Sequence, residues 1–404
     1  MTSTHPQVRA ASVAVFAVFA LSGANFSSWA ARLPAVRDGL GLQPAQMGLL
    51  LLVGSMGSIV ALPLSGLIVT KLGAARTVLA FAVLNACGYL LAAVGVGLGQ
   101  VPVVAVALVL CGVGTGVWDA SMNLEGALVE QRLGRTVMPR YHAGFSVGTV
   151  AAAGVAAVAA GAKVPVWVHL PVVVLLSTVG VFVATRKFLP AGHAEAAAAH
   201  PSDGPRQSVF AAWLEPRTLL IGLVILAAAL TEGAGNDWLS LAVVDGFDQS
   251  DTIGAVAFGI FVAAMTTMRF LGTALLDRFG RVAVLRLCAG LALVGLLVFG
   301  LVPRDLLWLA VIGAVLWGMG AALGFPVGMS AASDDPLRAA ARVSVVSTIG
   351  YTAFLAGPPL LGLLADHVGY RHALLVIAVP IVIGLLVVKA AAPPEPVNRP
   401  TVGA

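Results

Sequence analysis

Asp119 and Asn123 stand four residues apart in the segment Gly112-Val-Gly114-Thr-Gly116-Val-Trp118-Asp119-Ala-Ser121-Met-Asn123-Leu-Glu125. In a helix they share one face with Gly112 and Gly116, so a narrow glycine groove leads to a polar patch. An ionised carboxyl in so apolar a stretch costs about 2.5 to 3.5 kcal/mol on insertion scales, and poor solvation favours its protonated form. The chemistry this suits is proton carriage. The alternative is a permanently ionised Asp119 held by a cation on another helix, such as Arg269. Glu125, six residues on, reads as a charge at the edge of the apolar stretch. A second polar segment, Thr231-Glu232-Gly233-Ala-Gly235-Asn236-Asp237-Trp238, reads as a broken helix whose freed backbone groups can face a cavity. Glu232 is the second candidate for protonation or substrate contact, and Asp237 reads as a headgroup-level charge. His142 titrates near neutrality and suits a proton relay, or else a surface position at a helix start. Candidates for contact with a solute are Asn25, Trp118, Asn123, Asn236 and Arg269. For Asn25 the competing role is a hydrogen bond between helices; for Arg269, about 25 Å along its helix from the outer end, it is an ion pair with a carboxylate of the Asp119 or the Glu232 segment. Trp29, Trp118 and Trp238 could stack on a sugar ring, or serve as the aromatic belt of a membrane protein.

The elements that must position these groups are long and apolar. Of 404 residues, 59% are hydrophobic and 10% charged, with a mean hydropathy of +0.98, values beyond those of a water-soluble domain. A crossing of the bilayer needs about 20 apolar residues. Such segments fall near 10–31, 45–69, 77–97, 102–124, 142–161, 165–185, 217–240, 252–276, 283–303, 305–330, 343–365 and 371–391, and are numbered helices 1 to 12 below. The net charge of +5 belongs to topology and not to nucleic acid, because 17 of the 23 Lys and Arg residues fall in alternate loops with both termini, against five on the other side. Both termini are therefore expected in the cytoplasm, in a multi-pass protein of the inner (cytoplasmic) membrane. Cys87, Cys111 and Cys288 fall inside spans and imply no disulfide framework. The first span lacks a cleavage site and reads as a retained helix.

The spans divide six and six around a polar connection. We read 1–185 as an N-terminal bundle, 186–216 as a cytoplasmic linker, 217–391 as a C-terminal bundle and 392–404 as a cytoplasmic tail. An offset of roughly 200 residues pairs Trp29 with Trp238, Gly112 and Gly114 with Gly318 and Gly320, and Gly148 with Gly350, the pattern of a duplicated unit. Gly272 precedes Asp277-Arg278-Phe279-Gly280-Arg281 after helix 8. After helix 2, Gly66-Leu-Ile-Val-Thr70-Lys71-Leu72-Gly73 repeats the pattern with Thr70 in place of the acid, and Gly362-Leu-Leu-Ala-Asp366-His367-Val368-Gly369 echoes it after helix 11. As structure these are tight turns with basic anchors.

On those loops the chain resembles the major facilitator superfamily. The resemblance implies an all-α membrane fold of twelve helices in two pseudo-symmetric halves that rock about a central site. The first quarter looks most like the fucose:proton symporter family, on Gly23-Ala-Asn25, the segment Leu33-Pro34 to Leu40, and Gly114, Gly116, Asp119 and Asn123. That resemblance implies that Asp119 occupies the family's essential carboxylate position on helix 4. The family's second carboxylate, on helix 1, is not matched, since Trp29-Ala30-Ala31 stands there. The expected function is proton-coupled uptake of a small polar, sugar-like solute. Its alternative is proton-coupled efflux, which would show a wide apolar cavity with Glu232 exposed in it; a transport-dead sensor would have every intramembrane acid locked in ion pairs. No nucleophile with its base, metal-ligand cluster, phosphate loop or nucleotide-binding domain is found, so we expect no enzyme, cofactor or metal, and an ion gradient as the energy source.

Overall fold

Lipid offers the backbone no hydrogen-bond partners, so each apolar run closes its own bonds as a helix. The computed structural model describes residues 5–134, 137–189, 209–335 and 338–393. Among these, ten helices are long and apolar enough to cross a membrane. Two of the ten, Asp251–Leu301 and Ala339–Ala373 with its continuation to Ala391, are each folded back on themselves at a glycine, which gives the twelve crossings. Most of the 186–216 linker and nearly all of the 392–404 tail lie outside the described residues. "Inner" below denotes the side of the basic loops.

The three related loops share one backbone geometry. Gly73 has φ 80° and ψ 155°, Gly280 has 76° and 166°, and Gly369 has 77° and 157°. Only glycine visits this region without strain. A Cβ added at Gly280 or Gly369 would meet open space, so strain is the whole cost of replacing them. Gly280→Ala and Gly369→Ala are each expected to cost about 1–3 kcal/mol, read as lower melting temperatures of the detergent-purified protein. Gly290→Ala, at an open position inside helix 9, is the control, with an expected gain of about 0.5–1 kcal/mol.

The duplication is visible in packing partners. A Cβ on Gly112 would strike the carbonyl of Gly54 on helix 2, and one on Gly318 that of Phe261 on helix 8. Gly114 is pressed against Asn85 of helix 3, and Gly320 against Ala292 of helix 9. Gly148 touches Ala20 of helix 1, and Gly350 touches Ile225 of helix 7. Each sequence pair thus serves the same joint in its own half, where small residues allow helices to approach closely enough for dispersion to hold them.

Two helices differ from the sequence reading. Helix 7 is continuous from Pro216 to Gly246, because Gly233 and Gly235 lie against Phe354 and Phe261 and are used for packing, not for a break. The discontinuity lies in helix 10, which runs Leu307–Ala321, loses helical form over 322–323 and resumes as Gly324–Ala332. Leu33–Leu40 forms a short amphipathic helix at the outer end of helix 1.

Candidate functional site

The halves meet at their outer ends. Gly48 of helix 2 packs on Pro358 of helix 11, Gly362 packs on Pro44 and Ala45, and helix 5 meets helix 8 where Gly161 faces Thr252. The Ala45 amide donates to Asp366 at 3.2 Å, and Ser240 Oγ donates to the Ala30 carbonyl at 3.4 Å. Arg37, on the amphipathic helix, pairs with Asp245 and lies 5.7 Å above the Tyr370 ring.

At the inner ends, ties run within each half. Asp334 at the end of helix 10 receives Arg281 of the signature loop at 2.6 Å and Arg217 of helix 7 at 2.8 Å. Arg342 at 2.6 Å and Arg338 at 3.1 Å hold Glu215, whose carboxyl is kept below its usual range chiefly by the Arg342 hydrogen bond. In the N-terminal half Glu130 accepts from the amides of Val137 and Met138 at the start of helix 5, and Glu125 from that of Leu189 at 2.7 Å. Glu125 therefore ties helix 4 to the end of helix 6. In the signature loops, Arg278 stacks on Phe279 at 5.2 Å, while Gly66 faces open space. Lys71 sits in the last turn of helix 2, and Asp277 lies in the inner turn of helix 8.

With the outer ends closed, the middle of the molecule opens toward the inner side. Thr115, Asp119, His142 and Tyr351 are exposed onto this space. Tyr351 of helix 11 lies within electrostatic reach of Asp119 of helix 4, and His142 of helix 5 within that of Arg269 of helix 8. The Asp119 carboxylate has no ion-pair partner among the described residues; Asn123, one turn on, is its hydrogen-bonding neighbour and also donates Nδ2 to the Asp119 backbone carbonyl at 2.9 Å. Arg269 does not hold Asp119. It pairs with Glu232 at 2.8 Å and gives its Nε to the Ala322 carbonyl at 3.3 Å, one of the groups freed by the break in helix 10. The sequence offered Arg269 two carboxylates, and helix 7 supplies the one it takes.

Several candidates sit elsewhere. Asn25 is 2% exposed and donates to Asn85 at 3.2 Å, which donates in turn to Thr115 at 3.0 Å, so it joins helices 1, 3 and 4 and does not reach a solute. Trp118 is 1% exposed within the N-terminal core, and Trp29 and Trp238 are buried against Tyr89 and Tyr370. None of the three is free to stack on a sugar or to form a lipid-facing belt. His142 lies edge-on to Phe19 with ring centroids 5.1 Å apart. Asn236 is half-buried with its Oδ1 unpartnered. Sequence reading missed Asn85, Thr115 and Tyr351; the lone amide inside helix 3 and the tyrosine beside Gly350 were the available signals.

The arrangement can hold and release a proton at one carboxylate that no cation holds, beside a neutralised Arg–Glu pair. Comparison with known proteins agrees with the architecture. A family model described as Major Facilitator Superfamily matches residues 14–336 and 239–404. The chain is similar to an uncharacterized transporter, y4wD, of Sinorhizobium fredii, with 32% identity over 88% of this chain and 92% of the relative. Among solved structures it is similar to the nucleoside transporter NupG (TM-score 0.73, 16% identity, 94% of this chain and 98% of that one). It is also similar to FucP, a transporter of the same superfamily in the outward conformation (TM-score 0.64, 14% identity, 94% and 98%). Twelve crossings in two equivalent halves, closed at one end around a polar centre, and the family match over nearly the whole chain lead to one conclusion: the protein belongs to the major facilitator superfamily of membrane transporters.

Proposed function

We propose that the protein takes up a small polar solute together with a proton, by alternating access, with Asp119 as the proton carrier. The observation that carries this reading is the exposed Asp119 carboxylate, which no cation holds, beside an Arg269 already neutralised by Glu232. An unpaired charge is the group whose protonation most alters the ease of closing a low-dielectric site around it. Asn123, Tyr351 and Arg269 supply donors and acceptors around it for a hydroxylated solute, and His142 stands at the inner side as a relay. NupG, a nucleoside transporter, handles a polar solute on the same fold. The Glu232–Arg269 pair counts against efflux through an exposed Glu232. Both termini lie in the cytoplasm in this reading, on the side of the basic loops.

The test is uptake of labelled sugars and polar metabolites into proteoliposomes with an imposed inward proton gradient. One solute should accumulate and be released when a protonophore collapses the gradient. If no solute in the panel enters while a cationic dye is expelled from the same vesicles, the direction of the proposal is wrong.

A further inference from the structure

Asp237 is a second acid that no cation holds. It lies on helix 7, five residues beyond Glu232, and no hydrogen bond or ion pair reaches it among the described residues. It borders a narrow cavity between helices 7 and 11, walled by Leu230, Gly233, Phe354, Gly357, Pro358 and Leu361. Helix 11 therefore contributes no titratable group to the wall. On helix 7 itself Glu232 is held by Arg269, and Tyr370 lies one layer away, tilted against Trp238 with ring centroids 5.5 Å apart.

This cavity is apart from the central space and adjoins the outer seal. Pro358 forms part of its wall and also receives Gly48 of helix 2, so one short stretch of helix 11 both covers Asp237 and closes the halves. Asp237 is half-buried, and an ionised carboxylate against apolar walls without a cation is costly, whereas a neutral carboxylic acid needs only an acceptor for its O–H. Pro358 carries no N–H, so the carbonyl of Phe354, in the cavity wall, lacks its helical donor and is free to accept. A sodium ion is a poorer occupant, because hard cations gather about six oxygen ligands and the wall is mostly carbon.

We propose that Asp237 is a second proton-binding site, in the C-terminal half, which keeps its proton while helices 2 and 11 are closed and exchanges it with the outside when they part. Separation of Gly48 from Pro358 would wet the cavity and let the acid ionise, which links the state of this proton to the outer seal. The site stands independently of Asp119 and of any particular solute.

The experiment is infrared spectroscopy of the full-length protein in liposomes at neutral pH, comparing wild type with Asp237→Asn and Asp119→Asn. A protonated-carboxyl band present in the wild type, lost in Asp237→Asn and retained in Asp119→Asn is the expected result. An unchanged band in Asp237→Asn overturns the proposal. If the asparagine variant fails to fold, Asp237→Glu replaces it: a shift of the band supports the site and an unshifted band overturns it. No solute is needed, so failure here is distinct from failure of the uptake reading, which the transport assay decides.

Discussion

Replacing Arg269 by alanine is expected to cost about 3 kcal/mol of stability, the low end for breaking a buried ion pair, because the side chains keep 30% and 20% exposure to the central space. Two losses coincide. Glu232 is left as an uncompensated carboxylate in a poorly solvated position, and the Ala322 carbonyl loses its donor at the break in helix 10. The pair can be told from the bridge by substitution. Arg269→Gln combined with Glu232→Gln removes both charges and should cost less than either single change, since neither leaves a bare charge behind. Arg269→Lys keeps the charge but cannot serve both oxygens from one planar fork, so a residual loss of about 1 kcal/mol is expected from the bridge alone. Melting temperatures of the five purified variants, all measured in one detergent, decide this. Strictly additive losses in the double variant would show that Glu232 and Arg269 are not energetically coupled.

The fold was legible where the rule is local. Twelve apolar runs needed only bilayer thickness, and the three loop glycines needed only the backbone geometry that each loop imposes on its last glycine. The pairing of Gly112 with Gly318 and of Gly148 with Gly350 could be read because duplication preserves both a residue and its neighbour. The site was legible only in part, because its arrangement depends on choices between distant helices. Arg269 could be placed near the correct depth by counting residues, yet nothing in its spacing decides between Asp119 and Glu232; the crossing of helices 7 and 8 does. Polar, glycine-rich character in helix 7 suggested a break, but glycine also admits a neighbouring aromatic ring, and Phe261 and Phe354 use that space. Helix 10 breaks instead, in Gly318-Met-Gly320-Ala-Ala-Leu-Gly324-Phe-Pro326, where two glycines are spent on helices 8 and 9 and the freed carbonyl is held by Arg269. Trp118 shows the same limit. Its type suits sugar stacking, while its position, one residue before an exposed Asp119, turns it by about 100° into the core of its own half.

Asp119→Asn is expected to abolish solute accumulation and leave solute exchange intact. One pH unit is worth about 1.4 kcal/mol per proton, so a one-proton symporter under a gradient of two units can concentrate its solute about a hundredfold. Asparagine keeps the shape and hydrogen-bonding reach of the protonated acid, but it has no proton to bring in or give up. If the neutral form of residue 119 is the one around which the halves change over, the variant cycles with solute in both directions and only equilibrates it, so accumulation falls from about a hundredfold to unity. Counterflow, in which labelled solute enters vesicles preloaded with unlabelled solute, should remain within a few-fold of wild type. His142→Gln separates relay from carrier: a relay alters the rate at which the proton arrives and leaves the final accumulation untouched. Accumulation that persists in Asp119→Asn would move the coupling proton elsewhere, and Asp237 is then the group to test, because it is the other carboxylate in the membrane-spanning region that neither an arginine nor a backbone amide holds among the described residues.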